Sequence, residues 1–221
     1  MSDQAADACP PEVGEAYHRW YYDTRVWERT TWLGVKANKA ISDLWVYQEL
    51  ICDRAPAAVI EFGTGIGGST LFFATVLDAM NSAAPVVTVD IDHGQAHPSL
   101  RHHPRIRMLS CSSTAPELVG ELWALRRTTP GTWFVVLDSD HSQAHVRAEL
   151  DLLHSCLLPG DYVIVEDTNI NGNPVLPEFG PGPLEALQDF LQEHGSHYRQ
   201  DVSAEAKFGF TFAPNGFLIR S

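Results

Sequence analysis

The stretch "AVIEFGTGIGGST", residues 58–70, runs from an apolar segment into a glycine-rich turn. Gly63, Gly65 and Gly68 satisfy G-x-G-x-x-G, and Asp90 follows the last of them by 22 positions. Glycines at a strand-to-helix turn let the backbone approach a ligand closely, and an acid at that distance suits a ribose diol. Two cofactors fit this outline, NAD and S-adenosylmethionine, and a tight structural turn would look the same. Glu61, two positions before the first glycine, shifts the balance. A carboxylate there sits badly beside a pyrophosphate, but it can pair with the ammonium of a methionine moiety, directly or through water. Thr64 lies within the loop, and Ser69 at the helix start can bond that moiety's carboxylate. The reading favours S-adenosylmethionine and leaves NAD open.

Outward from this stretch the text alternates. Strand-like runs are "AVIEFG", "VVTVDI", "IRMLSC", "WFVVLDSD" and "DYVIVEDT", separated by helical patterns at about 68–81, 115–127 and 142–157. Thr114 and Glu117 fit a capping box opening the second helix. Such alternation predicts a parallel, doubly wound α/β sheet. After a helix near 183–194, "HYRQDV" and "FGFTFAPNGFLIR" read as two more strands, the second broken at Pro214-Asn215-Gly216. The expectation is a Rossmann-like, seven-stranded, mostly parallel sheet of class I methyltransferase type, ending in an antiparallel hairpin. Residues 56–221 would form that domain. Residues 1–55 would add a loose tail of a dozen residues and a helical cap, with one helix starting at Ser42-Asp43. Residues 168–182 form the one long loop, of a length usual for lids or disordered segments.

Composition narrows the partners. The 221 residues are 44% hydrophobic, enough for one substantial core. A net charge of -13 argues against nucleic acid or an anionic membrane surface. Four cysteines without metal-ligand spacing point to a reduced, cytoplasmic protein. No run is long and apolar enough to span a membrane, and Met1 to Pro11 is too polar for a signal peptide. A small-molecule substrate is the expectation.

A second constellation suggests chemistry. "VVLDSDHSQAH" places Asp138, Asp140 and His141 at the carboxyl end of the fourth strand, and "VIVEDTN" places Glu166, Asp167 and Asn169 at that end of the fifth. Ligands of open α/β sheets bind outside those ends. Several carboxylates aimed at one volume repel unless a cation or shared protons relieve them. All-oxygen donors suit Mg²⁺. The competing reading is that each acid caps a helix or faces water, and Asp140 before Ser142 suits capping. His141 and Asp140 are the candidates to accept a substrate proton, with His145 behind them, while Asp138 could serve the cofactor side. Histidines 93, 97, 102 and 103 read as a solvated loop rather than a metal site.

The segments "WLGV…DLWVYQELI", "IEFGTGIGGSTLFFA", "VTVDID", "LDSDHSQAHVRAEL", "LLPGDYVIVEDTNING" and "GPGPLEAL" resemble the cephalosporin-hydroxylase and rhamnosyl O-methyltransferase family, from about Trp32 to the C-terminus. The resemblance implies an S-adenosylmethionine- and Mg²⁺-dependent O-methyltransferase acting on a hydroxyl of a specialised metabolite, such as a deoxysugar or antibiotic intermediate. It implies Asp140, Glu166 and Asp167 as metal ligands. Glu61, Gly63, Gly65 and Ser69 would hold the methionine end, Asp90 the ribose, and Ser112 or Ser113 the adenine edge. It also implies a homo-oligomer. In the wider metal-dependent set, such as catechol O-methyltransferase, a lysine base follows the Asp-His motif. Here that position is Gln143, so the base does not carry over. Two alternatives remain: an NAD-linked oxidoreductase, which lacks a Tyr-x-x-x-Lys pair, and a cofactor-binding helper without turnover. One histidine with two carboxylates from the acidic set could also be an iron triad. The aromatic-rich N-terminus would close over the substrate or build an oligomer interface.

Overall fold

Five parallel strands form the centre of the fold: β3 (Ala58–Phe62), β4 (Val86–Asp90), β5 (Ile106–Ser110), β6 (Trp133–Leu137) and β7 (Tyr162–Val165). The computed structural model describes residues 9–221. Two further strands, β8 (Tyr198–Gln200) and β9 (Phe217–Arg220), complete a seven-stranded sheet of order β5-β4-β3-β6-β7-β9-β8. β9 runs antiparallel to both β7 and β8. This is the class I methyltransferase topology that the alternating text predicts. Remaining strands β1 (Thr31–Trp32) and β2 (Val35–Lys36) make a separate small hairpin.

Both faces of the central strands are buried, which explains why they read as continuous apolar runs rather than as alternation. Side-chain alternation then divides the core. Ile60, Phe62, Trp133 and Val135 face α5 (Pro116–Thr128), α6 (Gln143–His154) and α7 (Pro183–His194) through Leu122, Leu150 and Phe190. Val59, Phe134, Val136 and Ile164 face α2 (Ile41–Arg54) and α3 (Gly68–Ala79) through Tyr47, Ile51, Phe73 and Leu77. The order of strands reverses at β3, which pairs with β4 on one side and β6 on the other. That reversal opens the crevice where α/β sheets bind ligands. It lies between the glycine loop after β3 and the acidic loop after β6.

Several local expectations give way to tertiary contacts. Residues 208–212 are not a strand; Phe210 and Phe212 turn instead onto Tyr21 and His18 of α1 (Pro11–Asp23), with ring centroids 5.2–5.9 Å apart. The Phe212 amide donates to the Asp43 carboxylate at 2.8 Å rather than to a neighbouring strand. The link from β8 to β9 contains the short α8 (Val202–Ala206), so it is no tight hairpin, and β9 starts only after Asn215 at φ 63°. The capping box does not form: Ala115 is the cap position of α5, and Thr114 Oγ1 bonds Ser112 Oγ. Among the described residues no side chain caps α2 either. Of the expected loose tail, residues 1–8 lie outside the described residues, and Pro11 already opens α1. The first half of the 168–182 loop is packed down, with Thr168, Asn169, Ile170 and Val175 buried, while Leu176 and Phe179 in its second half are exposed.

Candidate functional site

The glycine loop is held by both flanks of the crevice. Gly63 has φ +94°, and a Cβ there would lie 1.9 Å from the Asp138 carbonyl, so only glycine lets β3 and β6 end this close together. Asp90 Oδ2 accepts from the Thr64 and Gly65 amides, each at 3.0 Å, and Oδ1 accepts from the Asp92 amide. Asp90 therefore braces the loop whose ligand it would share. Glu61 is fully buried. Its carboxylate accepts from Ser69 at 2.5 Å, from Thr88 at 2.9 Å and from Thr70. Burial pushes its pKa up to about 7 even though those hydroxyl donors pull the other way.

The acids assemble around a lysine. Lys39 is 2% exposed, and its Nζ lies 2.5 Å from Asp138 Oδ2 and 2.8 Å from Glu166 Oε1. Burial alone would lower its pKa, but Asp138 and Glu166 outweigh that and hold it above the ordinary lysine value. Glu166 Oε1 also accepts from the Tyr47 hydroxyl at 2.7 Å. Both bonds use that one oxygen, so Oε2 is outside them. His141 Nε2 stands 3.2 Å from Asp167 Oδ2 and 3.5 Å from Asp138 Oδ1. Burial depresses the imidazole, yet Asp167 and Asp138 lift it to about 9. Asp167 is raised to about 6, first by burial, then by Asp138 and Glu166 against the pull of His141. Its φ of +55° is a left-handed conformation, sparsely populated outside glycine and concentrated at functional sites.

These elements enclose a divided cleft. A cavity of about 330 Å³ is lined by Gly63, Gly65, Asp90, Ile91, Ser112 and Ser113 on one side and by Asp138, Asp140 and His145 on the other. A second, of about 200 Å³, lies between the β2–α2 segment, the loop 63–69 and His141. Gly63, Gly65, Asp138 and Ser139 line both.

The structure thus brings Asp90, Ser112, Ser113, Asp138 and the glycines to one cavity, and Thr64 and Ser69 to its neighbour. Asp138, His141 and Asp167 offer donor atoms within 4.8 Å of one another. Glu61 lines neither cavity; it reaches that space through the Ser69 hydroxyl. Asp140 stands apart from the Asp138–His141–Asp167 group: its Oδ1 accepts from the Ser142 amide at 2.8 Å and hydroxyl at 2.5 Å. Those bonds hold its carboxyl below the usual range. This is a local turn closed two positions on rather than a helix cap: Ser142 is the cap position of α6, and among the described residues no side chain caps that helix. His145 bonds Ser113 at 3.0 Å and Glu149 at 3.4 Å. His93 is buried against the Leu109 carbonyl rather than solvated, and His103 pairs with Asp78.

Three residues escape the sequence reading. Lys39 sits in "GVKANKAIS", with nothing to distinguish it from a surface lysine. Asp43 is buried, and burial with the Glu166 charge raises it to about 8. Tyr47 looks like a core aromatic at helical spacing, which it also is.

Comparison with known proteins fits this arrangement. The family profile described as Rhamnosyl O-methyltransferase/CmcI matches residues 24–221. A rhamnosyl O-methyltransferase of Mycobacterium leprae is 48% identical over 208 residues, covering 94% of this chain and 90% of its own. One from Mycobacterium tuberculosis is 46% identical over 209 residues, covering 95% and 85%. Among solved structures, CmcI with Mg and S-adenosylmethionine superposes with a TM-score of 0.68 at 16% identity, over 100% of this chain and 88% of its own. An O-methyltransferase of Bacillus cereus in complex with S-adenosylhomocysteine gives 0.56 at 15%, over 96% and 100%. At these identities the two structures speak for the fold.

Proposed function

Because the chain belongs to the Rhamnosyl O-methyltransferase/CmcI family, we propose that it is a methyltransferase that uses S-adenosylmethionine and a divalent cation to methylate a sugar hydroxyl, with a rhamnosyl or related deoxysugar unit as acceptor. The observation that carries this reading is the shared wall of the cleft. Gly63 and Asp138 touch at the crevice, so the cofactor loop and the acidic group line the same space. The larger cavity, with Asp90, Ser112 and Ser113, suits an adenosine. The smaller, with Ser69 and the loop amides, suits the methionine end, and Glu61 tunes the Ser69 hydroxyl from behind. The oxidoreductase alternative leaves the acidic group without a task.

The donor set fits a hard divalent cation. Asp138 and Asp167 converge, and Glu166 keeps Oε2 outside its bonds to Tyr47 and Lys39. Three carboxylates face one ammonium and one imidazolium, so the group carries residual negative charge. We assign the cation to Asp138, Glu166 and Asp167, with Asp138 in the place that sequence resemblance gives to Asp140. Bound there, a divalent cation would supply Lewis acidity that lowers a hydroxyl pKa. S-adenosylmethionine would supply the reactive methyl.

The chain's own residues do the rest. Lys39 and Tyr47 fix Asp138 and Glu166 in place. His141 and Asp167 form a pair sharing a proton, with affinities near 9 and 6 that bracket neutral pH. His141 is kept protonated by the Asp138 and Asp167 charges, and with a cation offsetting them its imidazole would be free to accept the substrate proton, whereas Ser142 holds the Asp140 carboxyl low. Thermal-shift measurement against S-adenosylhomocysteine, NAD⁺ and NADP⁺ tests the cofactor. Stabilisation by S-adenosylhomocysteine alone is expected; stabilisation by a nicotinamide cofactor instead would overturn the reading.

A further inference from the structure

Three histidines that the acidic cleft does not use meet at the far end of α6. His154 closes α6, His194 closes α7, and His197 ends the 3-10 turn Gly195–His197 that leads into β8. His154 lies between the other two rings, with centroids 4.2 Å from His194 and 5.5 Å from His197. One donor nitrogen from each lies within 4.8 Å of the others. α6 begins beside the Asp138–His141 loop, so its rise puts this group roughly 16 Å from the acidic cleft. From this geometry we propose a second metal site, in which His154, His194 and His197 bind a borderline transition-metal cation such as zinc.

The chemistry of the donors selects the ion. Neutral imidazole suits zinc, copper and nickel, whereas Mg²⁺ prefers oxygen. Zinc–nitrogen bonds of about 2.0–2.1 Å in a tetrahedron set donors about 3.4 Å apart, so these nitrogens need to close by roughly an ångström. Around the group, His154 Nδ1 lies 3.0 Å from the Tyr198 hydroxyl, which leaves Nε2 as the ligand and fixes the ring. Glu193 is no fourth ligand: Arg147 holds its carboxylate at 2.7 Å, and it stands 4.0 Å from His194 Nε2. His197 is exposed, so the fourth position is open to water. Arg220 is the neighbouring charge that opposes a cation, but its guanidinium is committed to the Tyr198 ring and the His197 carbonyl. A cation here would pin the ends of α6 and α7 to the start of β8, adding to the His154–Tyr198 hydrogen bond and the Arg147–Glu193 ion pair that already link these segments.

The test uses the full chain without an affinity tag, stripped by chelator and held in excess Mg²⁺ so that oxygen donors are occupied. Zinc is titrated by calorimetry into the wild type, His194→Ala, His197→Gln and Asp138→Asn, with circular dichroism as the folding control. One zinc per chain is expected, weakened at least about thirtyfold in both histidine variants and unchanged in Asp138→Asn. With Co²⁺ in place of zinc, the visible absorption of a tetrahedral nitrogen site should appear and be lost in His197→Gln. His197 is exposed, so that variant carries the comparison should His194→Ala fail to fold. Absence of zinc binding, binding that survives His197→Gln, or binding that vanishes in Asp138→Asn would each overturn the proposal.

Discussion

Lys39 and Asp138 are 99 positions apart in the chain, yet the ammonium and the carboxylate meet at 2.5 Å. The contact joins the segment before α2 to the end of β6. The same ammonium reaches Glu166 after β7, so one buried cation ties three parts of the sheet's carboxyl edge together.

Removing that cation should be costly. Lys39→Met leaves Asp138 and Glu166 facing each other in a buried space, and breaking one partner out of a buried pair costs about 3–5 kcal/mol. Urea denaturation should report a loss of that size. Millimolar Mg²⁺ should recover part of it, because a bound cation takes over the lost charge. Unchanged stability would mean that Lys39 neutralises nothing.

Glu61 should give cofactor binding a pH dependence. Its folded pKa of about 7 is raised above the ordinary glutamate value by burial. A raised carboxyl contributes stability that is complete below its unfolded pKa and is lost as pH rises through the folded value. Between pH 5 and 8 the wild type should therefore lose stability relative to Glu61→Gln. Acting behind the Ser69 hydroxyl rather than by contact, the ionised carboxylate favours an ammonium-bearing ligand, so S-adenosylhomocysteine should bind more tightly as pH rises from 6 to 7.5. Glu61→Gln should bind about tenfold more weakly, about 1.4 kcal/mol, with a flat profile. Calorimetry across that range decides it, and parallel profiles for the two proteins would remove Glu61 from cofactor binding.

The two aspartates of "LDSDHS" should separate. Asp138 faces Lys39 and His141, whereas Asp140 is tied to Ser142. Asp138→Asn should lower Mn²⁺ affinity, followed by electron paramagnetic resonance, by at least about tenfold. Asp140→Asn should leave it within about threefold. The reverse order would return the metal to Asp140.

How much of this the sequence displays depends on the range of each signal. The glycine loop, the strand ends and the acids belong to local patterns, since apolar runs and glycine spacing are dictated within a few residues. That is why the sheet and the residues lining the cleft are legible. Residues 208–212 look like a strand by composition, but Phe210 and Phe212 gain more by burying against Tyr21 and His18 across the molecule. Lys39, Asp43 and Tyr47 escape for the same reason: their partners Asp138, Phe212 and Glu166 are remote in the chain. We propose Asp138 rather than Asp140 on backbone direction, which local spacing does not carry, since neighbours two apart share a strand face only while the strand continues, and β6 ends at Leu137.

The acids after β6 and β7 are proposed to hold a divalent cation for methyl transfer to a sugar hydroxyl. The most direct measurement is transfer of labelled methyl from S-adenosylmethionine to a panel of rhamnosylated and other deoxysugar glycosides, with and without exhaustive chelation. EDTA should abolish turnover, and Mg²⁺ or Mn²⁺, both hard, oxygen-seeking ions, should restore it. Turnover that survives chelation would contradict that assignment and leave the His141–Asp167 pair to deprotonate the substrate alone.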